Sequence, residues 1–181
     1  MTATALLETL VGYATVSRDS NLELIRFIES YLDGYGVPYQ RIENDDGSKA
    51  NLPARIGPAV EGGVVLSGHT DVVPVDGQPW TSDPFTLRDG DDGRLYGRGT
   101  CDMKGFIACA LAEVPRWSEL ELEVPIWLAL SYDEEIGCVG APRMIETLMA
   151  EHPRPAAVVV GEPTLMEPVV AHKGASNFRT T

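Results

Sequence analysis

Positive charge is scarce in this chain: 14 Lys and Arg face 27 Asp and Glu, a formal net charge of −13 over 181 residues. An excess of that sign disfavours nucleic acid and anionic membrane as partners, because both would be repelled. Cysteine is sparse as well, with residues 101, 109 and 138 and no C-x-x-C pair. Three such thiols argue against a disulfide scaffold and for a reducing, cytoplasmic setting. No apolar run approaches the roughly 18 residues that a membrane span requires. The opening Met1 to Glu8 has neither the basic start nor the unbroken apolar core of a signal peptide. Familiar catalytic signatures are missing too. There is no H-E-x-x-H and no phosphate-binding G-x-x-x-x-G-K-S/T, and Val65 stands where G-x-S-x-G would need its first Gly before Ser67. The Asp89-Gly90-Asp91-Asp92-Gly93 stretch lacks the spacing and terminal Glu of a calcium loop and reads as a hairpin turn.

What the chain does have is alternation of helical and strand patterns. Apolar spacing predicts helices over 3–14 and from Leu22 to Leu32, the second capped by Ser20 or Asn21 and ended by Gly34 and Gly36. Val37–Ile42, Ala50–Ile56 and the β-branched Gly63–Ser67 read as strands. Residues 74–99 are rich in Pro, Gly and Asp and read as an irregular excursion. Next come a helix over Lys104–Trp117, packed through Phe106, Ile107, Ala110 and Leu111, and a buried strand over Val124–Leu130. A helix over Ala141–Ala150, with Met144, Ile145 and Leu148 inward, precedes a strand over Ala156–Val160. Such an order predicts a three-layer α/β/α sandwich around a mixed, mainly parallel sheet. From Val169 to Thr181 another strand begins and the sequence stops, which suggests truncation.

Four stretches carry the chemistry: Ser67-Gly68-His69-Thr70-Asp71, Gly99 to Lys104, Asp133-Glu134-Glu135 and Gly161-Glu162-Pro163. Three follow apolar strands, and carboxyl ends of strands are where open α/β sheets place ligand sites. One His with separated carboxylates suits a divalent cation, zinc above all. His69 alone would more often be structural, but the nearby acids favour a ligand, with Asp71 placed to orient its ring. Asp102 serves equally well as a helix cap or a bridging ligand. Three adjacent acids after an apolar strand repel one another unless a cation compensates them, so one Glu can hold metal while its neighbour takes a proton. A solvated loop is the alternative. Cys101 and Cys138 are expected to be buried small hydrophobes, and His152 and His172 surface or hinge residues.

The wording of Gly68 to Pro74, Trp80 to Phe85, Leu95 to Phe106, Ser131 to Cys138 and Gly161 to Thr164 resembles the acetylornithine deacetylase and succinyl-diaminopimelate desuccinylase family of zinc amidohydrolases and peptidases, its deacetylase branch most. The resemblance implies two Zn2+ ions, with Co2+ possible. His69 and Glu162 would hold one ion, Glu135 the other, and Asp102 would bridge them. Asp71 would orient His69, and Glu134 would be general base and then acid. A cis peptide after Asp102 is implied as well. The implied reaction is hydrolysis of an N-acyl amino acid, for the deacetylase branch N2-acetyl-L-ornithine to L-ornithine and acetate, in arginine biosynthesis.

Members of this family are about twice as long, form homodimers, and supply one more His ligand after an inserted lid and dimerisation domain. The resemblance therefore makes residues 1–173 the N-terminal part of the catalytic domain and 174–181 the start of the lid. It also implies one zinc held better than two, weak or absent turnover, and apolar surface left bare. A desuccinylase, a dipeptidase or carboxypeptidase, and a non-catalytic metal-binding module are the competing readings.

Overall fold

A computed structural model describes residues 1–171 and Gly174. Helix α1 (Ala3–Gly12) starts where Thr2 Oγ1 accepts the Ala5 N–H at 3.2 Å, and it buries Leu6, Leu7, Leu10 and Val11. Helix α2 (Leu22–Asp33) follows Asn21, whose side chain makes no cap. Instead the Asn21 amide crosses to Ala50, donating to its carbonyl and accepting its N–H, and also donates to Thr70 Oγ1. Ser20 Oγ takes the Leu22 N–H in its place. The remaining elements are β1 (Ile42–Glu43), β2 (Ala50–Ile56), β3 (Val64–His69), β4 (Arg88–Asp89), β5 (Leu95–Tyr96), α3 (Lys104–Ser118), β6 (Ile126–Ser131), α4 (Ala141–Glu151) and β7 (Ala157–Val160).

The main sheet has the order β1-β2-β6-β3-β7, while β4 and β5 form the expected hairpin in the 74–99 excursion. Strands β6, β3 and β7 pair in parallel; β2 is antiparallel to both its neighbours, so four strands run one way and β2 alone opposes them. Alternation along β6 sorts the two faces. Leu128 and Leu130 join the core beneath α1, α2 and α3, whereas Trp127 and Ala129 pack with Val65 and Met144 on the α4 side. Helices therefore cover both faces, giving the three-layer mixed sandwich that the element order implies.

Several local expectations fail. The strand over Val37–Ile42 shrinks to a Tyr39–Ala54 bridge and the two residues of β1. Pro38 and Pro53 each withhold a ladder donor there, which explains the broken pairing. Ile145 is exposed at 54%, because α4 buries only Met144 fully. All three cysteines are free and exposed, so none is a core hydrophobe. Strand β7 has the apolar sequence of a buried strand, yet each of its residues is exposed. The hinge at His172-Lys173 and the lid residues after Gly174 lie outside the described residues.

Candidate metal centre

Parallel register sets the strand ends level. His69 closes β3 opposite Ser131, the last residue of β6, and Ser67 pairs with Val160, the last of β7. The segments that follow β6 and β7 therefore leave the sheet at the same rim as His69. Two glycines let α3 settle across that rim. A Cβ on Gly68 would meet Ile107, Met103 and Phe106 at 3.3–3.4 Å, and one on Gly161 would stand 2.1 Å from the Phe106 ring. The close approach of α3 delivers Asp102 to the strand ends. Its peptide to Met103 is cis, in line with the family resemblance. Met103, not Asp102, sits at the helix cap, and no side chain caps α3. The Asp102 carboxylate is turned to His69 instead.

Around His69, which is only 1% exposed, the expected residues come together. Its Nε2 lies 2.9 Å from Asp102 Oδ1, 3.8 Å from Glu162 Oε1 and 4.0 Å from Glu134 Oε2. Ligand atoms of His69, Asp102 and Glu135 lie within 4.8 Å of one another, and so do those of His69, Glu134 and Glu162. Asp71 orients the ring through its backbone carbonyl, which receives the Nδ1 proton at 2.8 Å, while its carboxylate stands 3.5 Å away. That carboxylate has other work. Oδ1 accepts the Glu134 N–H at 3.0 Å, and Oδ2 accepts the Glu135 N–H at 3.3 Å and the Ser17 hydroxyl at 2.6 Å.

The charges register this crowding. Burial by itself would lower the His69 pKa, but Asp71 and Asp102 outweigh it and raise the pKa to about 9. Burial likewise opposes ionisation of Asp71, yet its bonds from His69, Ser17 and the Glu134 amide hold its pKa below the usual value. Burial first, then the Asp102 charge, pushes Glu135 and Glu162 upward. One imidazole and several half-exposed, mutually repelling carboxylates match the donor set of a borderline divalent cation such as Zn2+. Cys138 donates to Glu134 Oε1 at 3.2 Å, and that bond, with burial, raises its thiol to about 11 in the metal-free chain.

Beside the cluster stand two residues to which the sequence patterns assign nothing, Ser17 and Lys49, and Lys104, which they place only at a helix start. Lys104, fully buried, donates to Tyr13 O at 2.6 Å, and burial lowers its pKa to about 7. Its place at the head of an apolar helix was the available signal. His152, half-buried, packs against Trp127 with ring centroids 4.8 Å apart, far from the rim; His172 lies outside the described residues. No helix among the described residues is long and apolar enough to cross a membrane.

Known proteins match this chain in sequence and fold. Residues 65–173 fit the model of peptidase family M20/M25/M40. An acetylornithine deacetylase of Shigella sonnei (strain Ss046) is 41% identical over 157 residues, covering 86% of this chain but 39% of the relative. Human carnosine dipeptidase 1 superposes with a TM-score of 0.68 at 26% identity, over 82% of this chain and 35% of that one. An M20 family metallo-carboxypeptidase, Sso-CP2 of Sulfolobus solfataricus, gives a TM-score of 0.74 at 24% identity, over 88% of this chain and 37% of its own. With more than half its length matched and its fold shared, the chain belongs to peptidase family M20/M25/M40.

Proposed function

We propose that this chain carries the metal-holding rim of an amide hydrolase acting on small N-acyl amino acids, N2-acetyl-L-ornithine first among them. The observation that carries the reading is the convergence of Asp102, Glu134, Glu135 and Glu162 on the Nε2 side of one buried, oriented imidazole. His69, Asp102, Glu135 and Glu162 are the ligands in this reading, and Zn2+ is the favoured ion, with Co2+ the alternative. When bound, the cation supplies a Lewis acid that polarises the acyl carbonyl and lowers the pKa of water. Glu134 takes the proton of the attacking water and returns it to the leaving nitrogen. Once Nε2 gives up its proton to a cation, the Asp71 carbonyl would hold the Nδ1–H tautomer, and the Asp71 carboxylate holds the amides of the two glutamates.

The choice of acetylornithine rests on the 41% identity to a deacetylase. A dipeptide substrate is the second reading, favoured by the fold shared with a carnosine dipeptidase at 26% identity. In the same proposal residues 1–173 belong to the catalytic domain and 174–181 enter a lid, the working protein is a cytoplasmic homodimer, and one zinc is held better than two. Equilibrium dialysis against Zn2+ tests the metal: one tight equivalent is expected, lost in His69→Ala; two tight equivalents would refute the preference for one ion, and a chain that binds no divalent cation would refute the proposal. Acetate release from N2-acetyl-L-ornithine, compared with succinyl-diaminopimelate cleavage and dipeptide cleavage, tests the substrate. Glu134→Gln should cut whatever rate is found by roughly 10²–10⁴, the usual range for a general base, while leaving zinc bound.

A further inference from the structure

We propose that Lys49 is a positioning residue for the acidic turn, holding Asp133 in a left-handed conformation so that Glu134 and Glu135 are aimed at His69. The backbone of Asp133 has φ 55°, a region that non-glycine residues rarely enter and that needs support. Its carboxylate meets Lys49 Nζ at 2.6 Å, with the two side chains 11% and 13% exposed. The same ammonium donates to Ser17 O at 2.6 Å. Ser17 in turn donates its hydroxyl to Asp71 Oδ2, and the two oxygens of Asp71 take the N–H groups of Glu134 and Glu135.

These contacts close a ring: Lys49 to Asp133, along the backbone to Glu134 and Glu135, across to Asp71, on to Ser17, and back to Lys49. Lys49 is the one cation in it, bonded to the Asp133 carboxylate and the Ser17 carbonyl. Its own backbone is held at both ends, since its N–H reaches Asn44 Oδ1 at 3.0 Å and its carbonyl takes the Asn44 N–H at 2.9 Å. An exposed ion pair would contribute little. A buried one, loaded on both sides by hydrogen bonds, leaves a stranded charge when either partner is removed. Only the purpose of the ring, aiming ligands and base, rests on the proposed function; its geometry does not.

The test begins with the metal-free chain, reading amide hydrogen exchange residue by residue. In Lys49→Met the Glu134 and Glu135 amides are expected to exchange at least tenfold faster, while those of Leu10 and Val11 in α1 stay within twofold. Lys49→Arg should restore most of the protection. Asp133→Asn, whose side chain tolerates the left-handed region but carries no charge, should give the same local loss. The double variant should be no worse than Lys49→Met, because both act through one link. Zinc affinity should fall at least tenfold in parallel. Unchanged exchange at Glu134 and Glu135 in Lys49→Met, or in Asp133→Asn should the first variant fail to fold, overturns the proposal. Faster exchange in a chain whose wild type binds no zinc would keep the ring and discard the metal.

Discussion

The two nitrogens of His69 do different things, and their environments say which. Nδ1 donates to the Asp71 carbonyl, while Nε2 faces Asp102 and the glutamates. In the metal-free chain the surrounding acids raise the ring pKa to about 9, so at neutral pH both nitrogens carry protons. A cation arriving at Nε2 must displace one of them. Binding is therefore expected to release close to one proton per ion at pH 7.5. Affinity should rise about tenfold per pH unit from 7 towards 9 and level off above it. Calorimetry in buffers of different ionisation enthalpy checks the count; no proton released would mean His69 is not a ligand. His69 and its acids were legible in the sequence because each follows an apolar strand or opens a helix. Lys49 was not, since a lysine at the end of a Gly-Ser turn reads as solvent-facing until Asp133 is seen in space. That the Asp102 carboxylate turns to His69 and leaves the cap position to Met103 was equally invisible, because both uses need the same position.

Where elements meet, Phe106 is the contact that sets how α3 lies on the sheet. Its ring crosses Gly161, whose φ is outside the left-handed region, so a side chain there is opposed by lack of space alone. Gly161→Ala is expected to destabilise the fold by about 1–3 kcal/mol, the range for overpacking. It should also weaken zinc binding by moving Glu162. Adding Phe106→Ala should recover part of both losses, as urea denaturation and zinc titration would show; an additive double variant would deny the contact. Strand identity was readable from β-branched apolar runs, and β3, β6 and β7 stand close to where the pattern puts them. The inward placing of Ile145 was misread, because periodicity reveals which helix face is apolar but not how much of that face a neighbour covers.

Across the whole molecule, the acidic rim and the apolar edge sit on the same sheet but raise different issues. Val158, Val159 and Val160 are 48–58% exposed on edge strand β7, and the groove of about 230 Å³ between that edge and α4 is lined by Met144, Ile145, Leu148 and Val158. Edge strands of this kind template pairing with other chains. The chain is expected to self-associate as concentration rises, and Val159→Lys should suppress this in sedimentation velocity; a wild type that stays monomeric at every concentration would contradict it. Layer order and sheet direction were legible from the alternation of elements. The bareness of β7 was not legible from its own residues, since apolar strands look alike whether or not something covers them.

Ser17, Lys49, His69, Asp71, Asp102, Asp133 to Glu135 and Glu162 come from segments spread over most of the chain, joined through the β2–β6–β3–β7 ladders, the Val16–Val72 bridge and the seat of α3. No hairpin or helix pair taken alone contains even three of the donors around one imidazole. Capture of an ion at this site would thus depend on the closing of long-range contacts, which form slowly. A zinc-responsive signal from this chain would consequently report completed folding, and partly folded forms would stay silent to it.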